Sequence, residues 1–374
     1  MKVWVKISVF CICLFVSFTM MAQLTIPSLS DAMASPKSNP LTIGGYLDLY
    51  YGWQSGPDSQ KDMPYFVSMA SNKELTVNLA YLDLKYSTED LRVHLVPGFG
   101  TYIQANYANE DAGFKNLVEA SAGVALSKKK GIWLDAGILG SPYTNESAIS
   151  KDHLMYTRSL APEYVPYYLS GVKLTMPISP KVSAYLYLLN GWQQIKDNND
   201  HLAFGSQLEY RPDDQNLINW NTYIGDESSP SNLQFGTRYF TDVYWIHNPG
   251  GRFTLTTCVY GGNQKTKEGN GKTSNHYWWQ ANVIGRMKWG QHFSVSGRLE
   301  YFEDKDQVQI TSLNGIGQFS TGSAALGIDY KLKDNALFRL EGRKFFSDTE
   351  QYRNTDGEAS KSALWLISNF TVWF

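Results

Sequence analysis

The sequence predicts an all-β fold, a transmembrane antiparallel up-and-down β-barrel of about sixteen strands behind an N-terminal signal peptide. Three observations carry that expectation. The last thirteen residues alternate, with Leu364, Leu366, Phe370, Val372 and Phe374 on one face and Asn369 and Thr371 on the other. That is the period of two of a strand. The connections between such stretches alternate between short and long. Charges within the stretches keep to one face.

Composition agrees. The 374 residues are 14% aromatic, with 24 Tyr and 11 Trp beside 31 Gly, and mean hydropathy is negative. No run of eighteen apolar residues follows the amino-terminus, which excludes helical spans; a barrel hides from hydropathy because only every second residue meets lipid. Residues 1–22 read as a signal peptide: Lys2 and Lys6 form the charged end, Ile7 to Phe18 the apolar core and Met20-Met21-Ala22 the cleavage site. The mature chain is expected to begin near Gln23. Cys11 and Cys13 would leave with the signal, so Cys258 remains alone, which excludes a disulfide or a cysteine metal site. A formal net charge of −2 offers nothing to nucleic acid.

Residues 23–40 contain Pro and Ser and are expected to form a flexible periplasmic segment, with the barrel over 41–374. The alternation places strands at 41–53, 74–86, 90–104, 114–127, 131–140, 166–177, 180–190 and 201–211, then at 216–225, 231–247, 251–262, 276–289, 291–304, 316–331, 335–347 and 362–374. Short connections, rich in the Pro, Gly, Asn and Asp of tight turns, lie at 87–89, 128–130, 179, 212–215, 248–250, 290 and 333–334. Long ones lie at 54–73, 105–113, 141–165, 191–200, 262–275, 305–315 and 347–361, and the shorter 226–230 belongs with them. Such a pattern describes a barrel with short periplasmic turns and long outer loops. An even strand number puts both termini on the short-turn side.

Phase is a stronger test. With Leu47, Leu49 and Tyr51 outward, Tyr46 and Asp48 face in; Leu82 and Leu84 oppose Asp83 and Lys85. Val118, Ala120, Ala122 and Val124 oppose Glu119; Ile132, Leu134 and Ala136 oppose Asp135; Val172 and Leu174 oppose Lys173. Val295 and Leu299 oppose Arg298 and Glu300, and Phe338 and Leu340 oppose Arg339, Glu341 and Arg343. An Arg or Lys facing lipid at mid-depth costs about 2–4 kcal/mol, a penalty that sorts charges inward. Trp53, Trp220, Tyr239, Trp245 and Trp279 suit the interfacial girdles. The rival reading, aromatic core of a soluble β-protein, lacks a reason for the alternating turns.

Several stretches carry a family resemblance: Gly45-Tyr-Leu-Asp-Leu-Tyr-Tyr, Ile132-Trp-Leu-Asp-Ala-Gly-Ile-Leu-Gly-Ser, Gly171-Val-Lys-Leu-Thr, Asn190-Gly-Trp-Gln, Arg298-Leu-Glu-Tyr-Phe-Glu-Asp and Arg339-Leu-Glu-Gly-Arg. Together they resemble the putative β-barrel porin-2 family of Gram-negative outer-membrane proteins. The resemblance implies an outer-membrane porin for passive diffusion of small hydrophilic solutes. A bulkier residue is expected where Gly342 stands. The terminal Phe374 also looks like the signal read by the barrel-assembly machinery. Expected partners are outer-membrane lipid, that machinery, small hydrophilic solutes and, as one expected assembly, a homotrimer. No cofactor is implied.

Sixteen strands leave an aqueous channel. The inward charges are Asp48, Asp83, Glu119, Asp135, Glu209, Asp242, Glu300, Asp329 and Glu341 against Lys85, Arg92, Lys173, Arg238, Arg252, Arg286, Arg298, Lys331, Arg339 and Arg343. Near balance predicts weak ion selectivity unless one ring dominates. The Arg-Leu-Glu triplet at 298–300 and 339–341 offers such a ring, because the strand between has small inward Ser323, Ala325 and Gly327 for long side chains to cross. Candidate pore-lining or constriction residues are therefore Arg298, Glu300, Arg339, Glu341, Arg343, Asp135, Glu119 and Arg238. Mutual satisfaction on the wall is the competing reading. Loop 141–165, carrying Glu146, Lys151, Asp152 and Arg158, is a candidate constriction loop by its resemblance to the third loop of sixteen-stranded porins; a surface cap is the alternative.

Two other function classes stay open. A barrel hydrolase would need a site, but the six His are scattered with no His-Glu-x-x-His and no Gly-x-Ser-x-Gly; Asp152-His153 near Ser150 or Ser159 is the nearest approach to a triad. A channel selective for a sugar or a small organic anion would use inward Tyr46, Tyr50, Tyr185, Tyr187, Tyr223, Tyr244, Tyr260 and Trp278 as a stacking track.

Overall fold

The computed structural model describes residues 39–229, 232–269 and 271–374. The expected signal peptide and nearly all of the expected periplasmic segment lie outside these residues. Sixteen strands close into one antiparallel barrel. They are β1 Leu41–Gln54, β2 Leu75–Ser87, β3 Leu91–Phe99, β4 Leu117–Ser127, β5 Ile132–Gly140, β6 Tyr168–Ser179, β7 Val182–Leu189 and β8 Ala203–Asp213, followed by β9 Asn216–Asp226, β10 Phe235–His247, β11 Phe253–Lys267, β12 Thr273–Trp289, β13 Phe293–Asp304, β14 Phe319–Lys333, β15 Ala336–Phe346 and β16 Ser362–Trp373. Each strand pairs with its chain neighbours. The seam is β1 against β16, with Tyr46 opposite Trp373 and Gln54 opposite Trp365. The backbone N–H groups and carbonyls of Gly45 and Phe374 pair reciprocally at 3.1 Å. Closure of this kind leaves no unpaired sheet edge in lipid.

The expected phase holds along most of the strands; Val118, expected outward, packs instead against the inner cluster of Tyr102 and Ile103, beside the register shift between β3 and β4 at Val96 and Pro97. Leu47, Leu82, Val243, Leu299, Leu326, Leu340 and Leu366 point out and are exposed, whereas Asp48, Asp242, Arg298, Glu300, Arg339 and Glu341 are buried inside. Trp220, Tyr239 and Trp279 are exposed on the outer face. Gly342 sits there too: a Cβ would stand 3.3 Å from Leu366 Cδ2, so the small residue leaves room for its neighbour on β16.

Three element boundaries differ from expectation. Residues 101–104, read as the end of a strand, belong to helix α1, Thr101–Asn106. Gly100 makes the break: its φ is +129°, and a Cβ there would lie 2.4 Å from the Asn78 carbonyl oxygen, a position only glycine tolerates. The β-favouring Thr101 and Ile103 masked it. The expected loop 262–275 is mostly strand, because β11 and β12 pair up to Lys267 opposite Thr273. Their paired ends, Lys265 opposite Asn275 and Thr266 opposite Ser274, carry no apolar row, so they read as loop. Arg252, counted as an inward strand charge, lies in the turn before β11.

The bore is also fuller than strand number alone predicts. Segments 55–74 and 141–167 and α1 fold inward from the long-loop rim. Met63 and Phe66 meet Tyr156 and Leu160 and the inward Phe345 and Trp365 in one apolar cluster. Phe66 lies 5.0 Å from Trp365 and 5.7 Å from Phe345, ring centroid to centroid. Tyr102 and Tyr107 pack with Tyr46 and Leu79 beside it. Complete burial of such side chains contributes about 1.5–3 kcal/mol each. Tyr50, Tyr187, Tyr223, Tyr260 and Trp278, expected as a stacking track, belong to this packing instead. The filling comes from loops, so no separate plug domain is needed.

Candidate functional site: an infolded segment and two unlike walls

Segment 141–167 leaves β5, crosses the interior and returns at β6, with a 3-10 turn Ser150–Asp152 and a short helix α2, Leu160–Glu163. Its backbone has few partners of its own, so buried N–H and carbonyl groups need wall side chains. The wall supplies them. Thr144 N–H donates to Asp242 at 2.7 Å, and Asn145 donates to Thr256 and Asn282, both at 3.0 Å. Arg286 donates to the carbonyls of His153 at 2.8 Å and Leu154 at 2.6 Å, and Arg339 to that of Ser150 at 2.6 Å. Asp48 on β1 accepts from Ser150 at 3.1 Å and Tyr156 at 3.0 Å, as well as from Asn78 and Asn369 of the wall.

At the centre lies the expected ladder. Arg298 Nη2 stands 3.0 Å from Glu341 Oε1, and Arg343 pairs with Glu300, both across β14. Ser323 and Ala325 leave the gap, in register with Glu300 and Arg298. Against expectation, the ladder does not face a water-filled bore, because segment 141–167 lies on it. Thr157 donates its N–H to Glu341 at 2.8 Å, and its hydroxyl bonds the same carboxylate. Arg298 donates to the Thr157 carbonyl at 2.6 Å and Arg343 to that of Arg158 at 2.7 Å. Leu160 N–H donates to Glu300 at 2.7 Å. Hydrogen bonds to charged groups contribute roughly 1.5–3 kcal/mol each, several times thermal energy, and a set of them fixes the segment.

The candidate loop residues divide. Arg158 is buried, donating to Glu163 at 3.1 Å and to the Ser147 carbonyl at 3.1 Å. Glu146 is buried near Arg298 at 3.6 Å and accepts from Ser159 N–H at 2.8 Å. Glu163 also takes the N–H groups of Val67 and Ser68, tying the two infolded segments together. Lys151 and Asp152 pair with each other at 2.8 Å and keep partial exposure.

The opposite wall is different. On β2 to β6, His94 bridges Asp83 at 2.9 Å and Glu119 at 2.8 Å. Arg92 pairs with Asp135, and Lys173 stands 3.9 Å from the same carboxylate. The side chains of Asp83, Arg92, His94, Glu119 and Lys173 are 25–28% exposed, against 0–1% for Arg298, Glu300, Arg339, Glu341 and Arg343. Asp135 itself is covered by its partners. Arg238 stands apart from both sets, near the long-loop end of β10 opposite Gly225. Asp83, Lys85, Arg92 and Lys173 were legible as inward, but their wetness was not, since it depends on which wall the segment covers.

The triad-like residues do not assemble. Ser150 Oγ bonds Tyr46 and Asp48, Ser159 Oγ bonds Glu146, and His153 Nε2 donates to the Ser147 carbonyl at 2.7 Å. Cys258 is free and buried.

Residues 40–374 match the family model described as Putative beta-barrel porin-2, OmpL-like. The chain belongs to this family. It is an outer-membrane β-barrel porin. Solved structures share the fold at low identity. OmpT, an outer-membrane protein of Vibrio cholerae, is 11% identical over 91% of this chain and 100% of its own, with a TM-score of 0.57. The outer-membrane channel DcaP of Acinetobacter baumannii is 9% identical over 88% and 96%, with a TM-score of 0.59. An anion-selective porin from Comamonas acidovorans is 8% identical over 89% and 99%, with a TM-score of 0.57. No curated protein matches the chain.

Proposed function

We propose that this porin passes small hydrophilic solutes by diffusion along the β2–β6 wall, with segment 141–167 clamped against β9–β16 to set the width of the path. The contrast in exposure between the two sets of charges carries this reading. A charge in contact with water acts on a passing ion, whereas a buried and paired one is spent on its neighbours. Asp83, Lys85, Arg92, His94, Glu119 and Lys173 then set the field, and Asp135 positions Arg92 and Lys173. Arg298, Glu300, Arg339, Glu341 and Arg343 act indirectly, by holding the constriction segment through Thr157, Arg158 and Leu160, while Glu146 and Arg158 keep its internal shape. Lys151 and Asp152 are the segment's own contribution to the water-facing surface.

The remaining assignments follow from chemistry. The apolar outer belt suits lipid, and the strand ending at Phe374 suits the barrel-assembly machinery. A cleaved signal peptide over 1–22 would deliver the chain across the inner membrane. OmpT of Vibrio cholerae was solved in a trimer form, which supports a homotrimer here. Reconstitution in planar bilayers tests the central reading. Steps of conductance that grow when residues 145–160 are deleted support it, and a barrel that conducts no ions with or without the segment overturns it.

A further inference from the structure

Three long-side loops, those following β3, β7 and β9, enclose a cavity of about 540 Å³ at the outer mouth, lined by Trp192, Glu227 and Arg238 among others. That volume lies within the range of about 300–1,000 Å³ usual for small-molecule sites. Arg238 forms its inner end. It is 6% exposed, its Nε donates to Gln264 at 2.9 Å, and its guanidinium stands 5.0 Å from the Trp192 ring and 5.6 Å from that of Trp278. Its hydrogen bond among the described residues is made by Nε, and the Glu227 carboxylate acts on it as the nearest opposite charge. A guanidinium within reach of two indoles, with its terminal nitrogens turned to the cavity and its Nε already used, can donate to a ligand that accepts.

The rest of the lining decides which ligand. Four carboxylates, Glu110, Asp111, Asp197 and Glu227, face two cations, Lys196 and Arg238, so the cavity repels an anion as a whole. Glu110 already accepts from Ile195 N–H at 3.0 Å and Tyr168 at 2.6 Å. Glu227 accepts from Tyr223 at 2.5 Å and from the Trp192 backbone N–H, and its remaining lone pairs can take a further donor. A cation offers Arg238 nothing to bond. Carboxamides of Asn109, Gln194 and Asn198 add groups that both donate and accept.

The geometry points to this cavity as an entry site for neutral carbohydrate, a di- or trisaccharide whose adjacent hydroxyls accept from the Arg238 fork and donate to Glu227 and the carboxamides. A sugar is uncharged, donates and accepts at every hydroxyl, and is small enough to diffuse. The inference rests on the porin reading only for the route by which solute arrives; binding itself requires no conduction.

Binding is therefore measured on the full-length protein folded in detergent micelles, by isothermal titration with maltotriose, cellotriose, lactose and sucrose, with succinate and arginine as charged controls. At least one saccharide is expected to bind saturably. Arg238→Lys, which keeps the charge and removes the fork, is expected to weaken it about tenfold or more. Asn109→Ala, at the exposed rim, weakens it less, and it serves if the Arg238 variant fails to show the wild-type heat-modifiable gel band. Failure of all four sugars to bind, equal affinity in both variants, or succinate binding that depends on Arg238 overturns the inference. Loss of conductance with sugar binding intact would instead count against the diffusion path alone.

Discussion

Arg298 and Glu341 lie 3.0 Å apart across β14, each with almost no exposed side-chain surface, and Thr157 bonds both. One loop residue thus closes a triangle whose other corners come from β13 and β15. Removing Arg298 leaves a buried carboxylate without its cation, at a cost of about 3–5 kcal/mol. Undocking of segment 141–167 relieves that cost by admitting water. Arg298→Ala is therefore expected to raise single-channel conductance and to expose the segment to limited proteolysis, with little change in reversal potential. Replacing both partners, Arg298→Met with Glu341→Leu, is expected to be close to neutral for docking.

The wet wall should behave in the opposite way. Glu119→Gln removes a partly exposed negative charge and is expected to shift the reversal potential in a KCl gradient towards anion preference. Lys173→Ala should shift it towards cation preference. Each shift should shrink as ionic strength rises, since the Debye length falls to about 3 Å at 1 M. Equal shifts from Arg298→Ala would place the field on the dry wall instead.

Acid is expected to loosen the segment. Burial, reinforced by the nearby Arg158 and Arg339 guanidinium groups, holds the His153 imidazole well below its usual range. The docked segment therefore keeps His153 neutral, while an undocked one takes up a proton below about pH 6.5. Docking is stabilised above that pH and loses ground as pH falls through it. Open-channel noise should rise between about pH 6.5 and 4.5, and His153→Gln should flatten that rise.

Gly100 tests the inner helix. Gly100→Ala forces a Cβ against the Asn78 carbonyl at a positive φ, a strain of about 1–3 kcal/mol. The barrel is expected to assemble, with a lowered temperature for the heat-induced gel shift. An unchanged transition would mean that α1 contributes little to the interior packing.

The strands were legible because their signal is local. Leu299 and Arg298 alternate on β13 as they would on any strand with lipid on one side, and the hairpin at Lys333 to Ala336 needs only its own turn residues. The α1 break was illegible because Thr101 and Ile103 suit a strand, and only the clash at Gly100, made by a residue of β2, forbids one. A ladder among Arg298, Glu300, Glu341 and Arg343 was legible, since Ser323 and Ala325 advertise a gap, but which carboxylate each arginine takes came only from the fold. Their dryness was not legible.

The barrel, its sixteen strands, the facing of nearly all wall charges and the family could be read from the residues alone, because a pleat has a period of two and hydrocarbon rejects charge. Which inward charges meet water could be read only from the folded chain. Thr157 finds Glu341 from 184 residues away, and Thr144 finds Asp242 from 98 away. Contacts at such separation are chosen by which wall offers acceptors and cations for a bare backbone, a competition across the bore that no local pattern records.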